Sequence, residues 1–110
     1  MEPRAVISNL EKLLVQGKDS ALLRFSLGNE YFKLREIWVA IFHLKRALEL
    51  DPNYSAAWKL LGQAYTEGGV LNEALEAYRR GVEVAAKRGD QQAAKEMTVF
   101  ARRLQKKAPS

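Results

Sequence analysis

Slid against itself by 34 residues, the chain places Leu27 on Leu61, Gly28 on Gly62, Tyr31 on Tyr65 and Ala40 on Ala74, and Leu44 falls on Tyr78. A fixed period of this size signals stacked helical hairpins, in which each unit needs a neighbour to bury its apolar face. The residue types suit such a stack. Gly28, Gly62, Ala40 and Ala74 are small enough to let the two helices of a hairpin approach closely, and the larger Leu and Tyr fill the space around that contact.

Helical periodicity runs almost throughout. Val6, Leu10, Leu13 and Leu14 share one face of a first helix, placed at 3–16 and ended by Gly17. Asp19 or Ser20 can cap a second helix bearing Leu23, Leu27, Tyr31 and Leu34. The third carries Ile37, Ala40, Ile41, Leu44, Ala47 and Leu48, and Asp51-Pro52-Asn53 must break it, because proline lacks an amide donor and disfavours helix at the residue before it. Trp58, Leu61, Gly62 and Tyr65 mark a fourth helix that ends at Gly68-Gly69. Leu71, Ala74, Leu75, Tyr78 and Val82 mark a fifth. Gly89 suits a left-handed C-terminal cap and Asp90 an N-cap, so a sixth helix follows over 90–107 with Ala93, Met97, Phe100 and Leu104 on one face. Nothing reads as strand, and 110 residues make one domain, 1–110.

With the repeats set out, the chain resembles the tetratricopeptide repeat family, whose pattern runs Trp, Leu-Gly, Tyr, Ala, aromatic, Ala, Pro. The first copy, 21–54, shows Leu27-Gly28, Tyr31, Ala40, Leu44, Ala47 and Pro52, with Arg24 where the family has Trp. The second, 55–88, shows Trp58, Leu61-Gly62, Tyr65, Ala74 and Tyr78, with Gly81 in place of the last small Ala and Ala86 in place of Pro. The loss of that proline lets the fifth helix run on toward Gly89. The copies cover 68 of 110 residues. The first helix looks like the second half of an incomplete preceding repeat and the last like a terminal cap. The resemblance, which extends to small bacterial proteins of two such repeats, implies an all-α solenoid of six helices with a right-handed superhelical twist. It also implies a concave groove for peptides or partner proteins.

Composition limits the chemistry. With no cysteine and His43 as the sole histidine, thiolate sites, cysteine nucleophiles and multi-histidine metal sites have no parts, and no glycine-rich phosphate loop follows a strand. No enzymatic activity, cofactor, metal or small-molecule substrate is expected, and His43 reads as a surface residue of the third helix. Glu73, Glu76 and Glu83 stand at helical spacings from Arg79, Arg80 and Lys87, which suits solvated ion pairs. No apolar run of membrane-spanning length and no signal-like start are visible, so a cytoplasmic chain is expected.

In the family, the first helix of each hairpin lines the groove. Here its outward steps are Leu22, Phe25, Asn29 and Phe32, then Lys59, Gln63 and Thr66. Phe25 and Phe32 offer apolar anchors, the amides of Asn29 and Gln63 can bond a peptide backbone, and Lys59 can attract an acidic group. A subset of the family clamps C-terminal carboxylates with several Lys, Arg and Asn residues. Only Asn29 fits that scheme, since Phe25, Leu60 and Ala94 occupy the other places. Trp38 and Phe42 are unusual on a face where the family carries charge. Either the first helix covers them or they form a hydrophobic patch suited to a partner helix or to self-association, the last of which would make the protein a homodimer.

The net charge of +5 resides in the last third: 79–110 hold 9 Lys and Arg against 3 Asp and Glu, whereas 1–78 hold 9 against 10. Lys95, Arg102, Arg103, Lys106 and Lys107 could neutralise phosphates of nucleic acid or lipid. Without interleaved aromatics or a nucleic-acid fold, they read instead as a solubilising face.

Overall fold

The structure, a computed structural model, describes residues 2–107. Six helices follow one another: α1 (Pro3–Val15), α2 (Ala21–Lys33), α3 (Ile37–Leu50), α4 (Ser55–Glu67), α5 (Leu71–Lys87) and α6 (Gln91–Lys107). Among the described residues there is no strand. Their ends follow from local chemistry. Ser20 is the N-cap of α2, its hydroxyl accepting from the Leu23 amide at 3.1 Å, and Asp90 serves α6 in the same way, accepting from Ala93 at 3.1 Å. Between α3 and α4 the Asp51 carboxylate accepts from the Asn53 amide at 3.0 Å, closing the turn that Pro52 forces.

The helices pair as antiparallel hairpins, α2 with α3 and α4 with α5, and α6 lies along α5. Successive first helices touch, α2 against α4 and α4 against α6, whereas the backbones of α1, α3 and α5 do not come within 8 Å of one another. The layer whose members touch is the inner side of the curve, and the layer whose members are splayed is the outer side. Curvature is therefore set by which helices can approach.

Approach is set in turn by small residues. A Cβ on Gly28 would stand 2.7 Å from Leu44 Cγ, and one on Gly62 would collide with the Tyr78 ring. Gly81 makes room for the terminal helix: a side chain there would meet Met97 of α6 and, at 2.9 Å, Trp58 Cβ. The departure from Ala to Gly in the second repeat is thus the seat of α6.

Three apolar clusters run end to end through the stack. Ile7, Leu23, Leu27, Tyr31 and Ala40 join α1 to the first hairpin. Ile41, Leu44, Leu48, Leu60 and Leu61 join the two hairpins, and Leu75, Tyr78, Met97 and Leu104 seal the far end.

Candidate functional site

The inner face is built by α2 and α4, and the groove positions expected from sequence differ in what they leave free. Leu22 is 66% exposed. Phe25 is half-buried, its ring 4.9 Å from that of Tyr54, and Phe32 is half-buried between the first two apolar clusters, so both rings are largely engaged in joining helices. Lys59 is held by Glu96 of α6 at 3.0 Å, and the Thr66 hydroxyl donates to the Gly62 carbonyl at 2.7 Å. Asn29 and Gln63 remain. They are repeat equivalents, both half-buried, and among the described residues neither side-chain amide has a protein partner.

The outer face is a different surface. Between α3 and α5, with α4 as its floor, lies a cavity of about 510 Å3 walled by Leu48, Trp58, Leu61, Tyr65 and Ala77 and rimmed by Lys45, Glu49, Glu73, Glu76 and Arg80. The Trp58 indole N–H donates to the Pro52 carbonyl at 2.8 Å and the Arg80 guanidinium lies 5.7 Å from the indole centroid, which fixes the ring as a wall. Of the ion pairs expected along α5, Glu76 with Arg80 is formed, at 3.1 Å.

His43 is not a surface residue. It is 6% exposed, and its ring lies parallel to Tyr31 at 5.6 Å. Arg24 NH1 stands 3.1 Å from Nδ1, and because a guanidinium only donates, Nδ1 is the acceptor and the imidazole proton sits on Nε2. Arg24 also grips Asp19 through two bonds of 2.8 and 3.1 Å, and Tyr31 donates to Glu11 at 3.0 Å. Burial, then the charge of Arg24, lowers the His43 pKa, and the Arg24 hydrogen bond lowers that of Asp19. The sequence did carry a signal for this burial: position 43 superimposes on Ala77, a small core residue of the second repeat.

Trp38 and Phe42 are left uncovered, at 60% and 64% exposure, because α1 packs on α2 and meets only the inward side of α3. The five basic residues of α6 that stood out in the sequence are all exposed.

Antiparallel helical hairpins stacked with a 34-residue period, one concave and one splayed face, define a helical-repeat solenoid. Models of the tetratricopeptide repeat match residues 39–97 and 21–54, and the chain belongs to the tetratricopeptide repeat family. It is similar to the TPR repeat-containing protein PA0015 of Pseudomonas aeruginosa, with 50% identity over 99 residues that span 90% of this chain and 94% of the relative. Among solved structures it is similar to protein BPP2914 from Bordetella parapertussis, with 43% identity and a TM-score of 0.83 over 97% of this chain and 91% of that one. It is also similar to YrrB, described as a TPR protein with an unusual peptide-binding site, with 26% identity and a TM-score of 0.71 over 94% of this chain and 60% of that one. Such a fold is consistent with a protein-interaction module. No helix among the described residues is long and apolar enough to cross a membrane.

Proposed function

We propose that the protein is a cytoplasmic, non-enzymatic adaptor that holds an extended segment of another protein along the inner face of α2 and α4. The observation that carries this reading is the pair of unpartnered, half-buried amides at equivalent positions of the two repeats, Asn29 and Gln63. A carboxamide offers both a donor and an acceptor, so each can bond a peptide group of a bound strand, and two of them one repeat apart set its direction. Leu22 supplies exposed apolar area two turns before Asn29 on the same helix, and the half-buried edges of Phe25 and Phe32 continue it. Lys59 and Glu96, already paired, form a rim that orders nothing further on binding. The stacked helices fix these groups beforehand, so the ordering cost falls on the partner. YrrB, which has the same fold, supports a peptide as the ligand class.

A random-peptide display library panned on the wild type and on Asn29→Ala/Gln63→Ala tests the reading, with circular dichroism to check helicity. Peptides selected by the wild type should bind the variant at least about tenfold more weakly, the worth of one or two hydrogen bonds. Equal binding by a fully helical variant would sink the groove assignment.

A further inference from the structure

The two repeats treat the same outer cleft differently. In the first, the space between α1 and α3 above Tyr31 is filled from within: the His43 ring stacks on Tyr31, tethered by Arg24. In the second, Ala77 stands where His43 would be and Trp58 where Arg24 would be, and the space above Tyr65 is the 510 Å3 cavity. That cavity is a ring's place without a ring. Its rim residues Lys45 and Glu49 also border a smaller hollow formed by Trp38, Ile41, Phe42 and Arg46, so the exposed aromatics and the cleft form one continuous surface. At the equivalents of Trp38 and Phe42 the second repeat carries Asn72 and Glu76. The first repeat therefore presents rings and the second a receptacle.

We propose that a second copy of this chain occupies the cleft, α3 packing antiparallel on α3 about a two-fold axis level with Ala47, so that Phe42 of each copy enters the cleft of the other and Trp38, whose ring rests on Gly68, flanks it. Two observations select this occupant and this register. Lys45 and Glu49 lie one turn apart on the outward side of α3, and a two-fold axis midway between them sets Lys45 of each copy against Glu49 of the other, a self-complementary arrangement. Glu49 also accepts from Arg46 at 3.4 Å, an exposed contact that engages Oε2 alone. In the same register, with a rise of about 1.5 Å per residue, Phe42 lies just beyond the Leu50 end of the second copy's α3, beside the turn whose Pro52 lines the cavity with Trp58.

The area suits a weak pairing. Trp and Phe side chains carry about 150–250 Å2 each. With some three-fifths of both exposed, the rings of two protomers and the walls they cover amount to roughly 600–900 Å2, the size of a weak, transient interface. The pairing is a modest, concentration-dependent one on the face opposite the proposed peptide groove, and it does not depend on that groove.

Sedimentation equilibrium over a concentration series tests it with the full chain. The wild-type mass should rise with concentration from 12.4 kDa toward twice that value. Phe42→Glu, which gives this surface position the residue of the second repeat, should weaken pairing about tenfold or more. Lys45→Glu and Glu49→Lys should each be monomeric alone, and an equimolar mixture of the two should pair again, because the swap restores both contacts in the heterodimer only. All three substitutions are at exposed positions, so folding is not at stake. A wild type that stays monomeric throughout overturns the proposal and leaves a different protein as the occupant of the cleft. A dimer that Phe42→Glu leaves intact, or a mixture that fails to pair, overturns the assigned face or register.

Discussion

Arg35 is the one non-glycine residue among those described with a left-handed backbone, at φ 65°, and the equivalent residue of the second repeat is Gly69, at φ 78°. A side chain in that region costs about 1–2 kcal/mol, and the Arg35–Glu67 ion pair, exposed on both sides, returns little of it. Arg35→Gly should therefore stabilise the protein by about 0.5–1 kcal/mol after the extra chain entropy of glycine, raising the thermal midpoint by a few degrees. An unchanged or lower midpoint would show that the ion pair matters more than the strain. His43 gives a pH dependence of definite sign. Its folded-state pKa lies below the ordinary 6.5, so over the interval between the two the unfolded chain binds more protons than the folded one. Its stabilising contribution is complete above that interval and is lost as pH falls through it. Asp19, also lowered, adds a loss of the same sign at more acid pH, below about 3.8. Thermal melts from about pH 7.5 down to about pH 5 should show a falling midpoint that His43→Gln flattens; parallel slopes for both proteins would contradict the buried neutral imidazole.

Between helices the two hairpin contacts are built alike and differ in what they tolerate. Gly28 faces Cγ and Cδ2 of the fully buried Leu44 and the Ala40 carbonyl, whereas Gly62 faces the ring of Tyr78, itself held 5.6 Å from Phe100 of α6. Alanine gains about 1 kcal/mol of helix propensity at either site. The overpacking cost of about 1–3 kcal/mol applies in full only where the neighbour cannot yield. Both substitutions should thus be destabilising in urea titration, Gly62→Ala the more so because a ring yields less than a branched aliphatic chain, and the reverse order would mean that Leu44 is the more confined. The sequence identified both glycines as crossing points through their 34-residue spacing. It could not rank them, since the rank depends on a third helix.

At the scale of the molecule, stability accumulates along the stack and its end needs closure. α6 buries Met97 and Leu104 and brings Phe100 onto Tyr78. At about 1.5–3 kcal/mol for each large side chain buried, these residues supply on the order of 5 kcal/mol, comparable to the whole stability of a small domain. Deleting 91–107 should leave a chain that is largely unfolded or binds a hydrophobic dye strongly, as judged by circular dichroism and dye fluorescence. A cooperative, near-native melt would contradict the capping role. The same deletion removes Glu96 and frees Lys59, so any fragment that stays folded should bind acidic peptides better than the intact protein does.

Repeat spacing and apolar period determined the six helices and the family, because these depend on near neighbours and on a pattern stated twice. The Asp90 cap, the Pro52 turn and the small residues at the crossings were all legible for that reason, and the structure chose Ser20 over Asp19 as the cap of α2. Tertiary structure alone decided which groove residues stay free. Phe25, Phe32 and Lys59 have the right helical phase for a groove, but Tyr54, the adjoining clusters and Glu96 take them up, and those partners lie on other helices. It alone decided that His43 is interior, since burial there follows from Arg24 and Tyr31 closing over it. And it alone left Trp38 and Phe42 uncovered, because the reach of α1 is fixed by its packing on α2. Periodicity assigns a residue to a face of its helix; what covers that face is a property of contacts far apart in the chain.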